Sequence, residues 1–216
     1  MINILMNKFD INDKVKQYNK GGSTIKTITK NKRFFRDKIT KIILITIILI
    51  LIYLASIGIL KKIIYPDAYI DIVKEEANKN NIDPYLVLAI IKTESGFDSM
   101  AVSKKQAKGL MQIMDSTAED LNSKSNTDTT NIYDENVNIK LGCEYFNYLI
   151  DTYEGNYYLA ICAYNAGLGN VNEWIKEGIV SKDLNDINNN NIPFKETKIY
   201  LQKVINSYNM YEFLYE

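Results

Sequence analysis

Glu94 lies near the end of the segment DPYLVLAIIKTESGF, where an apolar run gives way abruptly to a carboxylate, a hydroxyl and a glycine. A carboxyl on the last turn of an apolar helix faces the negative end of the helix and loses water to its surroundings. Both effects favour the protonated form and raise the pKa. A carboxyl that keeps its proton near neutral pH is suited to general-acid work. By itself the pattern is weak, because a Glu at a helix end is most often simply solvated.

Other residues with chemical capacity follow in order. The stretch ESGFDSMAVSKKQAKGLMQIM carries Ser103, Gln112 and Met114. AYNAG, residues 163–167, carries Tyr164 and Asn165. IPFKETKIY, residues 192–200, carries Glu196 and Tyr200. Each has a plain reading beside the functional one. Tyr164, Tyr200 and Met114 suit a core, and Glu196 suits a solvated first turn. The chain has no histidine, which removes Ser-His-Asp and Cys-His catalysis and any His-ligated metal. Cys143 and Cys162 are too few for a Cys-only zinc site and lack CxxC spacing. Both fall in apolar helical patterns, so buried unpaired thiols are expected rather than a bridge. No metal and no cofactor is expected.

The elements that must position these residues read as helices. Asp67 to about Asn80 is one. Asp83 is the N-cap of the next, with Pro84 at its first position and Gly96 as its stop. Residues 123–136 and 184–193 read as polar loops. Asp134 caps a helix running to about Tyr153, with Val137, Leu141, Tyr145, Tyr148 and Leu149 on a shared face. Residues 157–167 form a helix closed by Gly167, and NVNEWIKEG a short one ending at Gly178. The last helix starts at KETKIYL and aligns Tyr200, Val204 and Tyr208. No strand pattern and no internal repeat is evident, so the fold class is all-α.

Charge divides the 216-residue chain. Residues 1–41 hold 11 basic and 3 acidic side chains, and residues 42–216 hold 15 basic and 23 acidic. Between them lies IILITIILILIYLASIGIL, residues 42–60, uncharged and roughly 28 Å long as a helix, enough for a bilayer core. Its basic flank lies upstream, which places the N-terminus in the cytoplasm and residue 61 onward outside. A cleavable signal peptide is the rival. The run is longer than a usual signal core, starts late and lacks a clean small-x-small exit, which favours an uncleaved single-pass anchor. The expected order is a basic cytoplasmic tail 1–41, the anchor 42–60, a linker 61–67 and an extracytoplasmic domain 68–216. The basic tail lacks the aromatic interleaving of a stacking platform, so nucleic acid is not an expected partner.

Taken together, Glu94-Ser95, the segment from Ser103 to Met114, AYNAG and IPFKETKIY resemble, in order and spacing, the lytic transglycosylase domain of the soluble-transglycosylase type. The resemblance covers roughly residues 68–212. It implies a goose-type-lysozyme-like helical fold and peptidoglycan glycan strands as the partner. It implies that Glu94 is the acid/base that cleaves the MurNAc–GlcNAc bond and closes a 1,6-anhydro ring. Ser103, Gln112, Met114, Tyr164, Asn165, Glu196 and Tyr200 then match cleft positions. The sequence departs from the usual pattern at Ser99, where Pro is common, at Gln106, where Gly often precedes Ala-x-Gly, and at Asp115-Ser116, which replaces a Pro-containing turn. A hydrolytic muramidase is the same-class alternative, with Asp98 or Glu196 as its first candidates for a second carboxylate. A non-catalytic peptidoglycan-binding scaffold of an envelope machine is the alternative of a different class.

Overall fold

The computed structural model describes residue 34 and residues 36–125, 131–185 and 191–216. The basic tail 1–33 and the centres of the loops expected at 123–136 and 184–193 lie outside the described residues. The chain divides into two compact units, residues 1–58 and 59–216.

The first unit holds most of helix α1, Arg36–Ile64, the one described helix long and apolar enough to cross a membrane. Its apolar side chains, from Ile42 to Leu54, are exposed in the isolated chain. A soluble core helix would cover them. The last turn, Leu60–Ile64, widens into a π-helix.

The second unit is helical, with no strand among the described residues. Two isolated bridges join Val102, Lys108 and Ile113. Helix α2 is Ile70–Lys79, α3 Pro84–Glu94, α4 Asp115–Ser125, α5 Glu135–Thr152, α6 Tyr157–Ala166, α7 Leu168–Lys176 and α8 Lys195–Tyr215. Helix α3 lies at the centre, against α2 and along α8. Helix α6 packs on α5, α7 and α8.

Local chemistry explains α3. The Asp83 carboxylate accepts from the Tyr85 N–H, and Pro84 supplies a preset φ at the start. Leu86 to Ile91 are all buried, so no side of this stretch is solvated. Each of its large aliphatic side chains contributes about 2 kcal/mol by leaving water. Gly96 then takes a left-handed φ of 62° and its N–H caps the Lys92 carbonyl. Phe97 follows at φ 72°, a conformation that costs a bulky residue energy, and the two together turn the chain away from the helix axis.

Asp134 caps α5 as expected, through the Val137 N–H, and Asn156 caps α6 through the Leu159 N–H. Two sequence expectations are corrected. Tyr148 is 43% exposed, off the α5 face that buries Leu141, Phe146 and Leu149. Helix α4 has no counterpart in the expected elements, and its C-terminal end, Ser123–Ser125, falls where a loop was expected. Cys143 and Cys162 are buried free thiols, consistent with their apolar helical settings.

The segment expected as a linker, residues 61–67, belongs to the second unit and is pinned within it. Tyr215 Oη donates to the Tyr65 carbonyl at 2.7 Å, Tyr211 Oη to Pro66 at 2.9 Å, and Lys92 Nζ to Ile64 at 2.6 Å.

Candidate active site

Glu94 sits where α3 ends between α6 and α8. Two adjoining cavities meet at it, of about 750 Å³ and 500 Å³, and Glu94, Asn165 and Glu196 line both. Ser103, Gln112, Met114 and Tyr164 line the larger one, and Tyr200 the smaller. Every site residue expected from sequence therefore borders one cleft. Asp98 borders neither; it is exposed and accepts from the Met100 N–H.

Burial raises the Glu94 carboxyl to about 7, and the hydrogen bond from Tyr200 Oη, at 2.6 Å, moderates the rise. Near neutral pH the group therefore divides its time between acid and base. Burial, and then the adjacent Glu94 charge, hold the Tyr164 and Tyr200 phenols well above their ordinary range. Both stay protonated and act as hydrogen-bond donors.

The wall opposite α8 is an irregular loop, residues 101–113, shaped by backbone bonds. Lys108 and Ile113 exchange two N–H···O bonds of 3.0 Å, and the Gly109 N–H reaches Ala101 at 2.9 Å. Gln112 takes φ 52°, and its Nε2 donates inward to Gly109 and Ala101 at 2.8 and 3.1 Å. Ser103 Oγ accepts from the Ala107 N–H at 3.0 Å. Tyr164 Oη donates to the Met111 carbonyl at 2.8 Å, tying α6 to the loop. Asn165 Oδ1 accepts from buried Thr197 at 2.8 Å, tying α6 to α8 and leaving the amide NH2 as the group it can offer a ligand.

Three contributors were not singled out from sequence. Tyr145, assigned to the α5 core face, lines the larger cavity with its ring 5.4 Å from that of Tyr164. Asn138, buried in α5, accepts from the Met111 N–H at 2.7 Å and donates to the carbonyls of Ile132 and Lys108 at 2.8 and 3.0 Å. Gly142, one turn on, leaves room for the Met111 side chain, which a Cβ there would strike. The available signal was a polar residue and a glycine inside an otherwise apolar seam.

The model of the Transglycosylase SLT domain family matches residues 71–187, more than half of the chain. The chain belongs to that family. The membrane-bound lytic murein transglycosylase C of Edwardsiella ictaluri is 37% identical over 115 residues, covering 48% of this chain and 32% of that protein. An inactive glutamate-to-glutamine mutant of the lytic transglycosylase Slt of Pseudomonas aeruginosa superposes with a TM-score of 0.60 at 32% identity. It covers 68% of this chain and 24% of that one. The 70-kDa soluble lytic transglycosylase of Escherichia coli gives 0.63 at 28% identity, over 69% of this chain and 25% of that one. The chain thus spans about a quarter to a third of the length of these relatives. The helical architecture is that of the lysozyme-like SLT fold.

Proposed function

We propose that this chain is a membrane-anchored lytic transglycosylase that cleaves the MurNAc–GlcNAc β-1,4 bond of peptidoglycan. The observation that carries the reading is Glu94, a half-buried carboxyl poised near neutral pH at the junction of two cavities. Protonated Glu94 donates its proton to the glycosidic oxygen as the bond to the sugar carbon breaks. The substrate's N-acetyl oxygen stabilises the cationic carbon. Glu94, now a carboxylate, takes the proton from the 6-hydroxyl of the same sugar, whose oxygen closes the 1,6-anhydro ring. No water is consumed, and Glu94 ends protonated as it began.

One carboxyl suffices for this route, whereas hydrolysis in the usual retaining or inverting manner takes two. The surroundings favour the single-carboxyl reading. Asp98 lies outside both cavities, which leaves the exposed Glu196, at their rim, as the one other carboxylate that hydrolysis could use. Tyr200 and Tyr164 serve as donors that keep the reaction centre ordered. Ser103, Gln112, Asn165 and Glu196 offer polar groups to sugar hydroxyls and amides, and Met114 and Tyr145 apolar surface to sugar faces. Helix α1 anchors the protein, with the basic N-terminus cytoplasmic and the SLT domain outside. The lytic transglycosylase relatives support the cleavage half of this reading, and the membrane-bound transglycosylase C the anchoring half.

The test is mass spectrometry of muropeptides released from purified peptidoglycan by the full chain in detergent. Products ending in 1,6-anhydro-MurNAc are expected. Products ending only in reducing MurNAc would make it a muramidase, and binding without release would make it a scaffold.

A further inference from the structure

Three consecutive backbone carbonyls just past the apolar run, those of Ile64, Tyr65 and Pro66, each accept a hydrogen bond from a side chain of the second unit. The donors are Lys92 Nζ at 2.6 Å, Tyr215 Oη at 2.7 Å and Tyr211 Oη at 2.9 Å. Tyr211 and Tyr215 stand four residues apart on one face of α8, and Lys92 projects from the last turn of α3. Aromatic rings complete the joint. Tyr65 meets Tyr211 edge-on with centroids 5.4 Å apart. Lys92 Nζ lies 4.7 Å from the centre of the Tyr65 ring, and Lys61 Nζ lies 4.7 Å from that of Tyr215.

The last carbonyls of a helix have no partner within it and carry the negative end of its dipole, so a lysine cation and two phenols suit them. A flexible tether leaves such groups to water and is rich in Gly and Ser. Residues 61–67, KKIIYPD, contain neither. No coil separates the joint from the apolar run, because α1 is helical to Ile64. The joint also lies close to the reacting group. Lys92 precedes Glu94 by two residues and its side chain reaches ~6 Å, so the Glu94 Cα lies within roughly 15 Å of the Ile64 carbonyl. The helix from Leu60 to Ile64 adds about 6 Å, which keeps Glu94 within roughly 20 Å of the end of the apolar run.

We propose that Lys92, Tyr211 and Tyr215 hold the cleft at a short, fixed reach from the membrane, so that the protein acts on lipid-tethered glycan strands in the same bilayer in preference to wall material beyond it. The proposal rests on the readings of α1 as a retained anchor and of the cleft as a peptidoglycan site. The three side chains are positioning residues. None lines either cavity at Glu94, and they select substrate by distance. A layer of wall held off the membrane is out of reach of a cleft that lacks a flexible tether, however well its sugars fit.

The joint is tested with the full chain in phospholipid nanodiscs, spin-labelled at Ile63→Cys and Met100→Cys, positions 72% and 65% exposed. Cys143 and Cys162 are buried and escape the label. Pulsed electron–electron resonance should give one narrow distance, and adding Lys92→Met with Tyr215→Phe should broaden it. A broad distribution without those two changes, or a narrow one with them, would overturn the joint. Reach is tested in vesicles, as the ratio of cleavage of lipid-tethered strands in the same bilayer to cleavage of insoluble peptidoglycan sheets. Each rate is divided by that of the same chain in detergent, where no surface limits approach. An insertion of about twenty Gly/Ser residues after Leu60 keeps the apolar run and the joint, and adds a tether spanning roughly 25 Å. It should lower the ratio about threefold or more. An unchanged ratio would overturn the reach limit. No cleavage of either substrate in detergent would sink the transglycosylase reading, and the spin-label distances would still decide the joint. A mature chain without residues 42–60 would sink the anchor and the reach limit together.

Discussion

Tyr200 Oη donates to Glu94 Oε1 at 2.6 Å, joining α8 to the end of α3 across 106 residues of sequence. The bond stabilises the ionised carboxylate, while burial destabilises it by more. The carboxyl settles at about 7, between its two roles.

Glu94→Gln should fold and lose roughly 10²-fold or more of the activity, since the amide is near-isosteric and cannot cycle a proton. It should also be more stable than wild type in alkaline conditions. The folded pKa of about 7 stands above the ordinary 4.5, so the folded state holds the extra proton between those values. Wild-type stability therefore falls as pH rises from 4.5 to 7 and then levels off. At pH 8 the variant's advantage is at most ~3 kcal/mol. Chemical unfolding at pH 4 and pH 8 measures it. A variant no more stable at pH 8 than at pH 4, relative to wild type, would show that the carboxyl is not desolvated.

Tyr200→Phe removes the one hydrogen bond that lowers the Glu94 pKa. The wild-type rate should fall as pH rises through about 7, as the acid deprotonates. In the variant that alkaline limb should move to higher pH, with a lower maximal rate from a less ordered carboxyl. The check is a pH–rate profile. A limb that stays put or moves toward acid would assign Tyr200 to packing alone.

Asn138→Ala should cost about 3 kcal/mol or more, because three buried backbone groups lose their partner at once. The groups are the Met111 N–H and the carbonyls of Lys108 and Ile132. Denaturant unfolding measures the loss. A cost below 1 kcal/mol would mean that the loop re-pairs without α5.

Gln106→Gly should stabilise the domain by up to about 1 kcal/mol. Gln106 holds φ 66°, a left-handed conformation that glycine adopts without the Cβ penalty. Glycine's greater freedom when unfolded offsets part of the gain. Thermal melting of the two proteins decides it, and a large destabilisation would reveal a structural role for the side chain.

A reporter fused after residue 65 should be active only outside the cytoplasm, and the mature chain should keep residues 42–60. The uncharged run with its upstream basic flank motivates this. A mature N-terminus mapped beyond residue 55 would replace the anchor with a signal peptide.

The sequence by itself determined what depends on neighbours a few residues apart. The Asp83-Pro84 start of α3, the Asp134 cap of α5 and the Gly167 end of α6 are local hydrogen bonds and local backbone preferences, and the structure repeats them. The ordered motifs around Glu94, Tyr164 and Glu196 likewise identified residues that border one cleft. Helix α4 escaped notice because DSTAEDLNSKS offers only Ala118 and Leu121 to a core, too few for a helical period. Tyr148 was misplaced because periodicity gives the apolar side of a helix but not the few tens of degrees by which packing rotates it. Tertiary structure alone decided which partner each buried polar group found. Tyr164 reaches Met111 across 53 residues, Asn138 spans to Lys108 across 30, and Tyr200 meets Glu94 across 106. The proton affinity of Glu94 belongs to the same class, since desolvation is imposed by helices distant in sequence that exclude water around a side chain.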